Sequence, residues 1–302
     1  MEEITVRFWQ PQDLPDLQEI FTAAFGDPPD IAAAFHRVFL TAPEACTLAA
    51  VPDPERPAGR PVAAAYCLPG PTLRFPDRSI PSAYLYAFGC LPAWRGRGIT
   101  KKVYTSIFTA LHRQGLAGCL IPATDALLQA YNRTGVSFVP LGRIRSARIA
   151  GANARAAAPL PAEPLPWQEY ARRREAWLQP HPHAAYPDSY YRLAEACCYS
   201  FLALPGALAA VIPLEGRCIV AELLCPEADP ARALAGIAEA CPADEYEVRT
   251  PAFFPGPGEL RTFAYCHNPG ERGAQATVRP ALDSVLFRSP ETESFWYPFG
   301  LE

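Results

Sequence analysis

The chain is poor in several features that mark whole classes of protein. It has no basic excess: 27 Lys and Arg stand against 31 Asp and Glu, for a net charge of −4. A protein that grips nucleic acid irrespective of sequence needs a positive face to displace counterions, so that class is disfavoured. A local cation cluster serving one small anion is not excluded. No apolar run approaches the roughly 20 residues needed to cross a bilayer as a helix, so no membrane is expected. The first residues, MEEITVRFW, lack the basic and then apolar stretches of a secretory leader. A cytoplasmic location is the expectation. Ten Cys are present, but none is spaced as CxxC, and no zinc or thioredoxin-like signature appears. Most lie inside apolar runs, such as Cys119 in GCLIP and Cys218 in RCIVAELL, and read as buried free thiols.

What is present points to folded, two-part architecture. Half of the 302 residues are hydrophobic and 19% are charged, enough for a packed core and long enough for two domains. The 35 prolines punctuate Ala-rich stretches, so many short elements with stiff connections are expected. Residues 4–9 alternate as a strand. Asp13 and Pro15 open a helix whose stripe is Leu14, Leu17, Ile20, Phe21 and Phe25. A second helix at 30–40 would present Ile31, Phe35, Val38 and Phe39. Strands are expected at 46–51, 61–68 and 82–91, a helix at 98–114, a strand at 118–122 and a helix at 125–133. Strands at 136–139 and 144–150 would close the region. Residues 150–166, rich in Ala and Pro, read as a linker. Beyond it come helices near 167–178 and 187–197, strands near 199–204, 207–213 and 218–224, a helix at 230–240 and a strand at 246–249. The order helix, helix, three strands, helix, strand recurs, and AYLYAFGCLP resembles RCIVAELLCP. A duplicated domain is expected: 1–150, a linker at 151–166, and 167–302. The fold class is α/β in the broad sense, with a mixed, mostly antiparallel sheet flanked by helices in two tandem halves.

Chemistry concentrates after the strand at 84–91. There Trp94-Arg95-Gly96-Arg97-Gly98-Ile99-Thr100 leads into a helix. A glycine-rich turn at a helix N-terminus lets backbone amides approach an anion that the helix dipole favours. Arg95, Arg97, Lys101 and Lys102 add four cations within eight residues. The pattern is neither the P-loop, since Ile-Thr follows Gly98, nor the dinucleotide fingerprint, since Lys occupies position 101 where Gly is required.

The stretch Arg95-Gly96-Arg97-Gly98-Ile99-Thr100 resembles the acetyl-CoA loop of the GNAT (GCN5-related N-acetyltransferase) superfamily, with Thr100 replacing the usual small residue. Tyr131-Asn132-Arg133-Thr134-Gly135-Val136 is similar to that superfamily's Tyr and following Gly-Phe, with Val136 in place of Phe and Thr124 where an Asn is common. The resemblance spans about residues 4–150. It implies acetyl-CoA as co-substrate and direct transfer of the acyl group to an amine. The last backbone groups of the strand, at Cys90 and Leu91, would hydrogen-bond the pantetheine arm. Residues Arg95, Gly96, Arg97, Gly98, Ile99 and Thr100 would hold the pyrophosphate, and Tyr131 would protonate the departing thiolate. The acceptor would be a small-molecule or peptide amine. A non-catalytic CoA-binding sensor is the alternative. For the base, Asp125, Glu44, Glu222 and a backbone-held water all stay open. Cys90 reads as a small strand residue, since no His is near it in sequence. His181 and His183 lack a Cys or Asp cluster, so no metal is expected. Arg172, Arg173 and Arg174 read as a solvated helix face. Where the first half has its glycine loop, the second has Ala228-Asp229-Pro230-Ala231-Arg232, in which Asp229 would cap a helix. That half is expected to be a degenerate copy without CoA.

Overall fold

The computed structural model describes residues 3–122, 124–133, 138–267 and 295–296. Two compact units emerge. The first is built from the described residues of Met1–Gly70, Pro81–Val139 and Cys266–Ser284; the second from those of Pro71–Ile80, Pro140–Tyr265 and Val285–Glu302. Thr134, Gly135 and Val136 lie outside the described residues.

In the first unit, β1 (Thr5–Phe8) leads to α1 (Leu14–Phe25) and α2 (Pro29–Phe39). Asp13 precedes α1, but its carboxylate accepts from the Gln10 amide at 2.7 Å and from Arg7 Nη1 at 2.7 Å, tying the entry of the helix to β1. Gly26, at φ 78°, supplies the left-handed turn that ends α1. Leu17, Ile20 and Phe21 are buried as the stripe requires, while Leu14 and Phe25 at its ends are exposed. The inner face of α2 differs from the expectation. Ala32 and His36 are buried there and Val38 is 47% exposed. His36 is held inward by Tyr66, 2.6 Å from its Nε2, and by the rings of Phe21 and Phe35. A periodicity count of apolar residues passes over such a histidine.

Strands β2 (Cys46–Asp53), β3 (Arg56–Arg74) and β4 (Ser79–Cys90) follow. Strand β3 runs past Pro69-Gly70-Pro71, where a break is expected from sequence. Gly70 permits this, because a Cβ there would lie 2.7 Å from the Ser82 carbonyl oxygen of the neighbouring strand. Then come α3 (Ile99–Gln114), β5 (Ala117–Leu120), α4 (Asp125–Arg133) and β6 (Phe138–Pro140). Helix α3 buries Ile99, Val103, Ile107, Phe108 and Leu111, the face read from its spacing.

The second unit begins with β7 (Arg143–Ala150), α5 (Gly151–Ala154) and β8 (Glu163–Pro164). It continues through α6 (Trp167–Leu178), β9 (His183–Ala185), α7 (Asp188–Ala196), β10 (Ser200–Leu204), β11 (Ala207–Leu214) and β12 (Arg217–Leu224). Its last elements are α8 (Pro230–Ala240), β13 (Glu245–Pro251), β14 (Glu259–Thr262) and the first residue of β15 (Tyr265–His267). The series α1-α2-β2-β3-β4-α3-β5 thus recurs as α6-α7-β10-β11-β12-α8-β13, with β9 added between the helices. In both series the third strand pairs in parallel with the strand after the helix: β4 with β5, and β12 with β13. The tandem, mixed α/β architecture is therefore present.

The boundary at 150 is corrected. Strand β7 pairs antiparallel with β13 over seven residues, Ile144 to Ala150, and with β14 beyond it. It belongs to the second unit, as does the stretch 151–166, whose α5 and β8 are integrated elements. In return, β15 enters the first unit's sheet, where the strand order is β4-β5-β15-β6. The two halves exchange their last strands. Alternation marks a strand but carries no information on which neighbour its edge will find, so a chain-order reading puts β7 in the wrong half; at 265–267 it expects no strand at all.

Candidate active site

The ladder between β4 and β5 runs only from Ser82↔Ala117 to Tyr84↔Cys119. Strand β4 continues for six residues beyond it, to Cys90. Its edge is thereby left open on the β5 side, where a ligand's amides can be met by strand backbone. Gly89 brings α1 close, since a Cβ there would meet Ile20 Cγ2 at 2.9 Å and Ala24 Cβ at 3.1 Å. A one-turn 3-10 segment, Pro92–Trp94, then redirects the chain into the loop that starts α3.

Gly96 and Gly98 have φ of 77° and 73°, a region that β-carbons disfavour. A Cβ at either would meet nothing within 4 Å, so these glycines are required by backbone conformation, and open space lies over them. Gly98 is the N-cap of α3, whose first amides have no acceptor within the helix. A cleft of about 550 Å³ opens here. Its walls are Ala24 of α1, Phe88 and Cys90 of β4, the loop from Trp94 to Lys101 without Arg97, and Ala130 and Arg133 of α4. Arg95, Lys101 and Arg133 supply its charge, and no carboxylate is among these lining residues. Open amides, a helix N-terminus and three cations fit a pyrophosphate, and the apolar flank of Phe88 and Cys90 fits an aliphatic arm.

Cys90, Arg95, Gly96, Gly98, Ile99 and Thr100 thus meet at one cleft. Two expected members do not take part as read from sequence. Arg97 turns away and lies over the Trp94 ring, 4.4 Å from its centroid. The Leu91 amide donates to the Val62 carbonyl of β3 at 3.0 Å, and the Cys90 carbonyl accepts from Arg95 Nε at 3.1 Å. Leu91 therefore braces β4 on its closed side. Arg95 spends part of its guanidinium on the strand end instead of pointing wholly into the cleft. Burial pushes the Cys90 thiol up, with the Arg95 charge pulling back, and a thiol kept protonated is a poor nucleophile. The cleft also includes Phe88 and Arg133, which motif spacing alone did not single out. Phe88 was legible by alternation from Cys90. Arg133 gave no signal, because its place depends on where α4 docks.

Tyr131 lies on α4 between the lining residues Ala130 and Arg133 and is partly exposed. Its ring meets Tyr104 edge-on at 5.4 Å. Burial raises its pKa, while the hydrogen bond from the Tyr104 hydroxyl lowers it somewhat. The phenol is thus protonated at neutral pH, but Tyr131 is not itself among the residues that line the cleft.

Glu222 is corrected as a candidate base. Its carboxylate is fully buried within the second unit, 2.8 Å from Arg174 Nε, and also hydrogen-bonded by the Tyr170 hydroxyl and Trp296 Nε1. With all these donors on it, it has no lone pair directed at solvent. Arg174, expected on a solvated face, is fully buried for the same reason; Arg172 and Arg173 are exposed and pair with Glu169. Glu44 is exposed in a turn before β2, and the side chain of Asp125 lies outside the described residues. His183 is buried against Glu175 at 3.2 Å and His181 stacks on Phe253 at 4.0 Å. At the start of α8, Asp229 accepts from the Ala231 amide at 2.9 Å, so a carboxylate occupies the position that the glycine loop leaves open in the first unit.

No family model and no curated protein matches the chain in sequence. Solved structures do match in shape. A GCN5-related N-acetyltransferase from Kribbella flavida aligns over 88% of this chain and 71% of its own, with a TM-score of 0.65 at 15% identity. One from Anabaena variabilis aligns over 88% and 72%, with a TM-score of 0.65 at 13% identity. Eis1 from Mycobacterium abscessus aligns over 87% and 73%, with a TM-score of 0.55 at 16% identity. Together with the parallel, early-ending β4–β5 ladder and the glycine loop at α3, these matches show that the chain has the GCN5-related N-acetyltransferase fold, in tandem form.

Proposed function

We propose that the protein is an N-acyltransferase that moves an acetyl group from acetyl-CoA directly to a primary amine. The observation that carries this reading is the cleft where the open edge of β4, the positive-φ glycine loop of α3 and the Tyr131 segment of α4 converge. In this reading, amides of residues 96–100 and the cations Lys101 and Arg133 bind the pyrophosphate. The free edge of β4 near Phe88 and Cys90 orients the pantetheine arm. The acceptor, as its free base, attacks the thioester carbonyl; the new C–N bond forms as the C–S bond breaks. Tyr131 gives its proton to the departing thiolate, and the amine's extra proton passes to solvent.

The acid role fits the environment of the phenol. A raised pKa keeps the proton on Tyr131 until a thiolate of comparable basicity develops beside it. Replacing Tyr131 by Phe keeps the ring contacts with Tyr104 and removes only the hydroxyl. The expected result is a kcat lower by about 10²–10⁴-fold with acetyl-CoA affinity nearly unchanged, since the bond matters chiefly as charge forms on sulfur. Thioester turnover over a panel of primary amines, with calorimetric affinity for acetyl-CoA, reads both. Full activity of the Phe variant across the pH profile would remove Tyr131 from the mechanism. Binding of acetyl-CoA without turnover of any amine would favour the sensor reading.

A further inference from the structure

Strand β15 brings a second thiol to the place where the two strands of the cleft part. The last ladder pair between β4 and β5 is Tyr84↔Cys119. Beyond it β4 runs on alone to Cys90, and the cleft opens. Cys119 therefore stands at the apex of that fork. On its other side β5 neighbours β15, and Cys266 meets Cys119 there, sulfur to sulfur at 3.8 Å. Both residues belong to the first unit and are buried, at 0% and 1% exposure. Two sulfurs in van der Waals contact across neighbouring strands need only small side-chain rotations to close to a bond of about 2 Å.

The same setting keeps the pair reduced while the sheet is closed. The hydrogen bond with Cys266, and then burial, push the Cys119 thiol well above the usual thiol range, with the Ser82 hydroxyl pulling back. A protonated thiol shut away from water reacts slowly with oxidants. Strand β15, however, has only three residues, Tyr265–His267. Short elements open locally at far less cost than global unfolding. Opening of β15 exposes Cys266 first, because Cys119 stays in the ladder with β4.

We propose that Cys119 and Cys266 form a modification site, joined by an intrachain disulfide in the presence of a peroxide, and that the bond fastens β15 beside the fork. Cys266, as its thiolate, attacks one peroxide oxygen; the O–O bond breaks, hydroxide leaves and a sulfenic acid forms. Cys119 then attacks that sulfur; the S–S bond forms as the S–O bond breaks, and a second hydroxide leaves. The two thiol protons turn both hydroxides into water. The thiol pair loses two electrons and the peroxide gains them. A dithiol reductant reverses the change by exchange. The bond joins positions 147 apart in the chain. Closing so long a loop removes much of the entropy of the unfolded chain and so stabilises the fold. The inference stands apart from the acyltransferase reading, since it needs no ligand in the cleft.

The full chain is treated with hydrogen peroxide, unreacted thiols are blocked, and the peptides are mapped by mass. The expected product is a cross-linked pair of peptides carrying Cys119 and Cys266, released by dithiothreitol. Oxidation should raise the urea midpoint and slow hydrogen exchange in β15 and β5, and reduction should undo both. Cys266→Ala, which keeps the site apolar, should give neither the link nor the rise. Cys119→Ser provides the same comparison should the first variant fold poorly. Blocked thiols at both positions after peroxide overturn the inference. So does a link from either residue to the exposed Cys197 or Cys198 in place of their own. A midpoint that rises equally in Cys266→Ala, or one that stays put once the bond has formed, shows that the bond does not fasten β15.

Discussion

At the scale of single residues, side chains that look alike in sequence separate by environment. Arg172, Arg173 and Arg174 are consecutive, yet the third is buried on Glu222 while the first two share Glu169 in solvent. Glu222 is one acid in an apolar strand, which sequence alone can read as a base waiting for a substrate. Its three partners make it a structural anion instead. Removing it strands a buried guanidinium, a change that typically costs about 3–5 kcal/mol. Glu222→Ala should therefore lower the urea midpoint sharply, and Glu222→Gln should lie between, since the amide can still meet Tyr170 or Trp296. A variant as stable as wild type but unable to transfer acetyl would reinstate Glu222 as a base. Gly96 and Gly98 show the opposite case. Their role was legible because only glycine takes φ near 75° without strain, and the structure gives them that conformation.

At the scale of elements, α2 is held to the first unit through a polar pair in an aromatic setting. His36 accepts or donates one bond to Tyr66, packs against Phe21 and Phe35, and is almost wholly buried. Desolvation lowers its pKa to about 4, from 6.5. On β15, burial and the nearby His112 lower His267 to about 3. For both groups the unfolded chain binds the proton more readily than the folded one. Their contribution is therefore complete above about pH 6.5 and is lost as pH falls toward the folded values. Thermal midpoints should drop between pH 6.5 and 4, and the drop should be shallower in His36→Phe. That variant should already be less stable at pH 7, because the Tyr66 hydroxyl loses its partner. An unchanged slope in His36→Phe would show that His36 does not carry the effect.

At the scale of the whole chain, the exchange of β7 and β15 makes residues distant in sequence part of one sheet. Cys119 of β5 and Cys266 of β15 are buried with their sulfurs 3.8 Å apart, and His267 stacks on Phe108 of α3 at 4.0 Å. A charge at 266 would be buried there without a partner. Cys266→Asp is expected to lower the melting temperature and to weaken acetyl-CoA binding, although the residue is more than 160 positions from the glycine loop by the numbering of Gly98 and Cys266. Hydrogen exchange should quicken in β5 and α3. Quickening confined to β12 and β13 would contradict the placement of β15. The exchange also accounts for each sheet holding, one strand in from an end, a strand drawn from the other half of the chain order.

Local sequence was enough to determine seven of the helices, the central strands and the cofactor-like loop, but not α5, β8, β9, β14 or β15. Amphipathic spacing set the buried face of α3, the order of elements revealed the duplication, and two glycines beside four cations located the cleft. These are properties of residues within a few positions of one another. Only the tertiary structure decided what depends on partners far along the chain: that β7 and β15 trade places, that Arg174 and Glu222 neutralise each other, that Arg133 reaches the cleft while Arg97 leaves it. The physical reason is common to all of these. A strand edge, a buried charge and an exposed cation each take their meaning from the group that comes to face them, and that group is chosen by packing.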